Sequence, residues 1–148
     1  MYHSVSIGDK NTWEDWRLIP ASPPSIVLPP VKKNLVDLPG GNGSIDLTRF
    51  LNNTPRYGIR EGTWEFVITD QTTMTRAQWG SLIASYLHGK RFEKIILEDD
   101  PEYYYSGMLE VSAVKPGKSF SGITISYTID TFKHRITEFN SENKEDLI

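Results

Sequence analysis

Cysteine is absent from the sequence, so neither disulfides nor thiolate metal ligands hold this chain together. Folding therefore does not depend on an oxidising compartment. Long apolar runs are missing too: Ile26-Val27-Leu28 and Ile95-Ile96-Leu97 fall far short of the roughly 20 residues that span a bilayer. The opening Met1-Tyr2-His3-Ser4-Val5-Ser6-Ile7-Gly8-Asp9 has neither the basic region nor the apolar core of a signal peptide. The expectation is a soluble protein with no secretion route. Basic residues are not in excess either. The net charge is -3, whereas a protein that grips nucleic acid by neutralising phosphates needs clustered Lys and Arg.

What is present suffices for one packed domain. A chain of 148 residues buries roughly 70% of its unfolded surface without a staple. Trp13, Trp16, Trp64 and Trp79 lead an aromatic content of 11%, which supplies large rings for a core or an interface.

Hydrophobic periodicity divides the chain into short β segments and one helix. His3, Val5 and Ile7 alternate with Ser4 and Ser6, the two-residue period of a half-buried strand ending at Gly8-Asp9. Asn11-Thr12-Trp13-Glu14-Asp15-Trp16 puts a polar cap before two aromatics, a spacing suited to a helical or 3₁₀ turn. Between Pro20 and Pro30 the prolines (Pro20, Pro23, Pro24, Pro29, Pro30) fix φ and remove backbone donors, so an extended arm is expected. Because the arm carries Ile26, Val27 and Leu28, it should pack against something, either its own core or a neighbour. Val31 to Leu38 and Ser44 to Leu47 flank Pro39-Gly40-Gly41-Asn42-Gly43, the composition of an extended β-hairpin with a long tip, Val36 and Leu38 facing Ile45 and Leu47. Trp64, Phe66 and Ile68 form the apolar face of the strand after Gly58 to Gly62.

The helix runs from about Thr75 to His88. Trp79, Leu82, Ile83, Tyr86 and Leu87 recur at helical spacing on one face, and Gly89 supplies the usual terminator. Lys90 and Arg91 complement the helix C-terminus, whose dipole would also favour a charged His88. Phe92 to Leu97, Tyr103 to Val114 and Ile123 to Ile129 read as three strands, joined by a turn at Asp99-Asp100-Pro101-Glu102, with Pro101 at its corner, and by Lys115-Pro116-Gly117-Lys118. The last strand is the cleanest, with Ile123, Ile125, Tyr127 and Ile129 on one face and Thr124, Ser126 and Thr128 on the other. The β-rich domain spans residues 1–135, and 136–148 reads as a frayed tail.

No catalytic or metal constellation assembles from this pattern. Gly117-Lys118-Ser119 resembles the end of a phosphate-binding loop, but the glycine needed five residues before it is Ser112, and the context is strand-turn-strand. His3, His88 and His134 form no i, i+4 ligand pair. Glu98-Asp99-Asp100-Pro101-Glu102 runs consecutively into proline, unlike a calcium loop, and a hydrolase using Asp99 or Asp100 lacks a recognisable nucleophile and base. Tyr103, Tyr104 and Tyr105 could stack on a sugar beside those acids, a carbohydrate-binding alternative. Neither a cofactor nor a metal is expected.

Several phrases, in order, carry a resemblance. They are Gly8-Asp9-Lys10-Asn11-Thr12-Trp13 with Trp16; Leu18-Ile19-Pro20; Val36-Asp37-Leu38-Pro39-Gly40; Gly43-Ser44-Ile45-Asp46-Leu47-Thr48; Tyr57-Gly58-Ile59-Arg60-Glu61-Gly62; Tyr86-Leu87-His88-Gly89; and Leu97 through Gly107. From about Tyr2 to Phe132 the chain resembles the N-terminal ring-forming domain of the distal tail proteins of long-tailed phages and prophages of Gram-positive bacteria. The resemblance implies a mainly β fold, a β-sandwich or barrel, with a flanking α-helix and an extended β-hairpin. It implies a non-enzymatic virion component at the tail tip or baseplate, assembled in the host cytoplasm as a homo-oligomer, six copies closing into a ring. Expected partners are the tail tube protein, the tape-measure protein and a tail-associated lysin or fibre protein, with DNA only as transiting cargo. Larger members continue into a C-terminal domain, often carbohydrate-binding, which this chain stops too early to contain. The candidate ring contacts are Pro39, Gly40, Gly41, Asn42 and Gly43 at the hairpin tip and Ile26, Val27 and Leu28 on the arm. At -3 per copy, such a ring would be acidic and would let DNA slide through.

Overall fold

A computed structural model describes residues 2–33, 35–46, 56–69, 74–115 and 121–136. The Gly117-Lys118-Ser119 turn, Leu47 at the end of the expected hairpin and the tail beyond Ile136 lie outside the described residues. In chain order the first strands are β1 (Val5–Ile7), β2 (Lys10–Asn11), β3 (Leu18–Pro20), β4 (Leu35–Asp37), β5 (Ser44–Asp46) and β6 (Arg60–Ile68). Then come α1 (Arg76–Leu87), β7 (Lys90–Leu97), β8 (Asp100–Lys115), β9 (Ser121–Ile129) and β10 (His134–Arg135). The main antiparallel sheet has the order β2-β1-β7-β8-β9-β6-β3, with β10 paired to β8, and β4 and β5 form a hairpin of their own.

Two-residue alternation places one face of this sheet in the core. Ile123, Ile125, Tyr127 and Ile129 are buried while Thr124, Ser126 and Thr128 between them are not, as the sequence pattern requires. Across the ladder Trp64 pairs with Ile125 and Phe66 with Ile123, so buried residues of neighbouring strands share a face. Val5, Ile7, Ile95, Leu97 and Leu109 complete it from β1, β7 and β8. Register shifts in β7–β8 and between Val111 and Ala113 of β8 bend the sheet, as bulges do.

Helix α1 packs on this face. Its start is a capping box, in which the Thr75 hydroxyl accepts from the Gln78 N–H (3.3 Å) and the Gln78 side chain accepts from the Thr75 N–H (2.9 Å). It ends at Gly89, whose φ of 72° is the left-handed conformation that glycine tolerates, and Lys90 Nζ reaches the Ser85 carbonyl at 2.9 Å. The buried stripe is Trp79, Gly80, Ile83 and Leu87, with Leu82 43% exposed. The face is therefore rotated from the expected one, because Gly80 abuts Val114 of β8 where a larger residue would hold the helix away.

One other expectation is corrected. The turn before β8 is Glu98-Asp99, and Asp100 and Pro101 already belong to the strand; proline is tolerated at this strand start, where its missing N–H costs little. At the helix end, His88 Nδ1 accepts the Val111 N–H at 3.2 Å, tying α1 to β8.

The predicted turn after β2 does more than connect. Asp15 N–H bonds to Asn11 O and Arg17 N–H to Trp13 O, one helical turn capped by Asn11 Oδ1, which accepts from Trp13 and Glu14. Thr12, fully buried, accepts the Val5 N–H on Oγ1 (2.9 Å), donates its own N–H to Val5 O (3.0 Å) and accepts the Leu18 N–H on its carbonyl (2.8 Å). In a flat sheet of this order β1 and β3 would stand roughly 24 Å apart, at ~4.8 Å per strand. One residue bonded to the start of both shows that the sheet curls into a half-barrel whose ends approach at Thr12, although no ladder joins β3 to β1 or β2.

Replacing Thr12 by Val keeps the shape but leaves the buried Val5 N–H without an acceptor. The expected loss is about 1–3 kcal/mol of unfolding free energy, read by urea titration, with Thr12→Ser losing less. Equal stabilities for Thr12→Val and the parent would show that the hydroxyl does not hold the seam.

Candidate functional site

The proline-rich arm is pinned to one end of the barrel by side chains that rise from the inner face. Trp64 Nε1 donates to the Ser25 carbonyl at 2.9 Å, the Tyr127 hydroxyl accepts the Val27 N–H at 3.1 Å, and Arg60 Nη1 donates to the Val27 carbonyl at 3.3 Å. Arg60 Nε also donates to Thr131 O at 3.0 Å. Extended proline-rich backbone has no internal hydrogen bonds, so these substitute for a ladder. Further along, Gly58 N–H bonds to Pro30 O and Val31 bridges Tyr57.

The Tyr127 contact depends on Gly62, its partner in the β6–β9 register. A Cβ at Gly62 would overlap the tyrosine hydroxyl and ring, so the bare backbone there lets the ring lie across β6 and reach the arm. Arg60 shares the inward parity of β6 with Gly62, Trp64, Phe66 and Ile68, and it is 1% exposed. Its guanidinium lies over the Tyr105 ring, 5.4 Å from the centroid. Burial lowers its pKa below the ordinary arginine value and raises that of the Tyr105 phenol. Arginine keeps its charge all the same, and its Nη2 has no hydrogen-bond partner among the described residues.

Held this way, the arm turns Ile26 toward the core and leaves Val27 46% and Leu28 72% exposed, with Val31 and Ile59 exposed beside them. Of the three residues singled out on the arm, one therefore serves its own core and two face outward. The hairpin tip is formed as its glycines suggest: β4 pairs β5 through Val36 and Ile45, Gly40 and Gly43 have positive φ, and Pro39, Gly40, Gly41, Asn42 and Gly43 are all exposed.

The tyrosine run does not form one platform. Tyr105 is buried, Tyr103 lies under Lys133, whose Nζ is 4.1 Å from its centroid, and Tyr104 packs on His134. The adjacent acids are separately engaged. Glu98 accepts the Ser4 N–H at 2.7 Å, a bond that holds its carboxyl below the usual range; Asp99 pairs with His3 and Asp100 with Lys133. Among the described residues no group of three potential ligands gathers around a metal position, and no helix is long and apolar enough to cross a membrane.

This architecture has a solved counterpart. The crystal structure of SPP1 Dit (gp 19.1), described as a paradigm of hub adsorption apparatus in phages infecting Gram-positive bacteria, superposes with a TM-score of 0.65 over 91% of this chain at 15% identity. The chain has a Dit-like fold. It spans about half of that protein, 53% of its length. No family model matches the chain, and no curated protein does. Within the Dit-like fold, sequence reasoning placed the arm but missed its anchors. An arginine and a glycine at inward parity in an otherwise apolar strand, Arg60 and Gly62, were the available signal.

Removing the Tyr127 hydroxyl tests the pinning. Tyr127→Phe is expected to cost about 1 kcal/mol and to speed amide hydrogen exchange at Val27 while α1 amides keep their protection. Unchanged exchange at Val27 would mean that the arm is held by other contacts.

Proposed function

We propose that this chain is a non-enzymatic structural subunit of a phage or prophage-derived tail tip, a hub that joins the tail tube to the tip proteins. The observation that supports it is the Dit-like fold over nearly the whole chain, in a molecule that holds an apolar arm rigidly outward. Burying side chains such as Leu28 and Val27 requires another surface, and in a homo-oligomer that surface belongs to a second copy. On this reading, copies associate head to tail through two different patches and close as a ring, six by the resemblance. The hairpin tip and arm make the contacts, and the half-barrel with α1 is the rigid body. The tail tube protein, the tape-measure protein and a lysin or fibre protein dock on the ring, and DNA passes through without being bound. A carbohydrate-binding module built on Tyr103, Tyr104 and Tyr105 is less favoured, because the three rings share no open face.

Native mass spectrometry and negative-stain microscopy of concentrated protein should show closed rings. Leu28→Asp should abolish them without lowering the thermal midpoint, since the side chain is solvated in the isolated subunit. A parent protein that stays monomeric throughout, or rings that survive Leu28→Asp unchanged, would count against the arm as a ring contact.

A further inference from the structure

A second apolar surface lies at the opposite pole of the barrel. The arm covers the end of the β6–β9 pair where Arg60 meets Ile129; the other end is Ile68 paired with Ser121, roughly 26 Å away at ~3.3 Å per residue. There a groove of about 420 Å³ opens between α1 and the β8–β9 stem, with Ala77, Gly80, Ser81 and Ala84 on its helix side, Val114 and Ser121 on its strand side, and Arg76 at the start of the helix. Ala77, Gly80, Ser81 and Ala84 recur at i, i+3, i+4 and i+7, one small-residue face of the helix, and Arg76 is the one large helix residue at the groove.

Two further observations mark this groove as incomplete. Ser121 is fully buried and lines the groove, yet its hydroxyl has no partner among the described residues, a costly state unless something supplies one. Strand β8 also runs beyond its neighbour. The β7–β8 register begins at Lys90 and Leu109, Gly89 takes the Leu109 carbonyl and His88 takes the Val111 N–H. Val114, paired with Ile123 after the bulge, again has the parity at which backbone N–H and C=O point away from β9. No described strand pairs with β8 on that side there. The groove thus offers a small-residue hole, an exposed Val114, a free hydroxyl and a length of strand edge.

We infer that this groove receives the arm of a neighbouring copy of the chain, with Leu28 and Val27 entering the hole beside Gly80 and Ala84. The inference rests on the ring reading and names the second half of its interface. The arm suits the seat by its side chains, since the Val27 N–H and C=O are already bonded to Tyr127 and Arg60: it projects branched aliphatic side chains, and beside Arg76 the helix side of the groove carries only Ala, Gly and Ser. Knob and hole at opposite poles give a head-to-tail contact, the kind that closes by rotation. A self-complementary dimer would need both at one place.

The absence of native cysteine makes the test direct. Leu28→Cys combined with Ala77→Cys should give covalent multimers on mild oxidation, whereas Leu28→Cys with Glu61→Cys, on the outer face, should not. Ala77→Trp, which fills the groove from its exposed rim, should abolish rings and leave thermal unfolding unchanged. Rings that form without the Leu28–Ala77 cross-link, or cross-links that form equally in both pairs, would overturn the seat while sparing the ring. A protein that is monomeric by native mass spectrometry and yields no multimers from either pair would overturn the ring and the seat with it.

Discussion

The curl of this sheet depends on a seam one residue wide. Thr12 bonds through N–H, hydroxyl and carbonyl to β1 on one side and β3 on the other, and those strands are near opposite ends of the sheet order. β2 and β3 remain the two edges of the sheet, and the junction brings their ends close enough for the loop between them to bridge the gap. With it, the apolar face becomes an interior that α1 can fill. The same short turn drops Trp16 into that interior, edge-on to Tyr86 at 5.6 Å, and the Tyr86 hydroxyl in turn donates to the Ile7 carbonyl at 3.1 Å. Closure and helix docking are thus one event: the turn that joins the ends also supplies the ring on which the helix rests.

The two ends of this interior are finished differently. At one, a loop of proline-rich chain is fastened by Trp64, Tyr127 and Arg60, three polar tips on otherwise apolar or aromatic bodies, each reaching past its strand to a backbone group of the arm. At the other, helix and hairpin stem come together over small side chains. Unsatisfied buried polar atoms are rare in folded proteins because each costs on the order of 1–3 kcal/mol. Here Arg60 Nη2 lies at the arm pole and Ser121 Oγ at the groove pole. Trp79 Nε1, buried on α1, is a third such atom among the described residues, so the two ends share this feature with the helix packing between them.

How much of this was readable from sequence follows from the range of the interactions concerned. Helix α1 was located to within a residue, since Thr75, Gln78 and Gly89 act on their own turn. Strand β9 was assigned face by face, because its neighbours β6 and β8 both bury the side it alternates toward. The helix's buried stripe was misjudged at Leu82, since Gly80 looks inert until Val114, more than thirty residues away, is known to lie against it. Pro101 was taken for a corner because proline usually marks one, and only the pairing of Leu97 with Asp100 shows that the strand has already begun. The seam could not be read at all: nothing in Asn11-Thr12-Trp13 says that β3 will arrive on the far side. The arm was recognised from its prolines, but its anchors lie at positions that local pattern treats as exceptions, a glycine and an arginine on a core face.

A ring of definite size makes a demand that affinity alone does not meet. For six copies each contact must turn the next subunit by about 60°, and a ring of five or seven differs by only about 10° per step. The angle is set by whatever connects the two contact surfaces within a subunit. On the ring reading proposed above, that connection is the β6–β9 ladder, paired without a break from Arg60 and Ile129 to Ile68 and Ser121, with the arm fastened at its first pair and the groove lined by its last. An unbulged ladder is a stiff spacer, whereas β8 beside it carries the irregularities that bend the sheet. Bending and spacing thus fall to different strand pairs: the bulges lie in β7–β8 and β8–β9, while β6–β9 keeps an unbroken register between the arm and the groove.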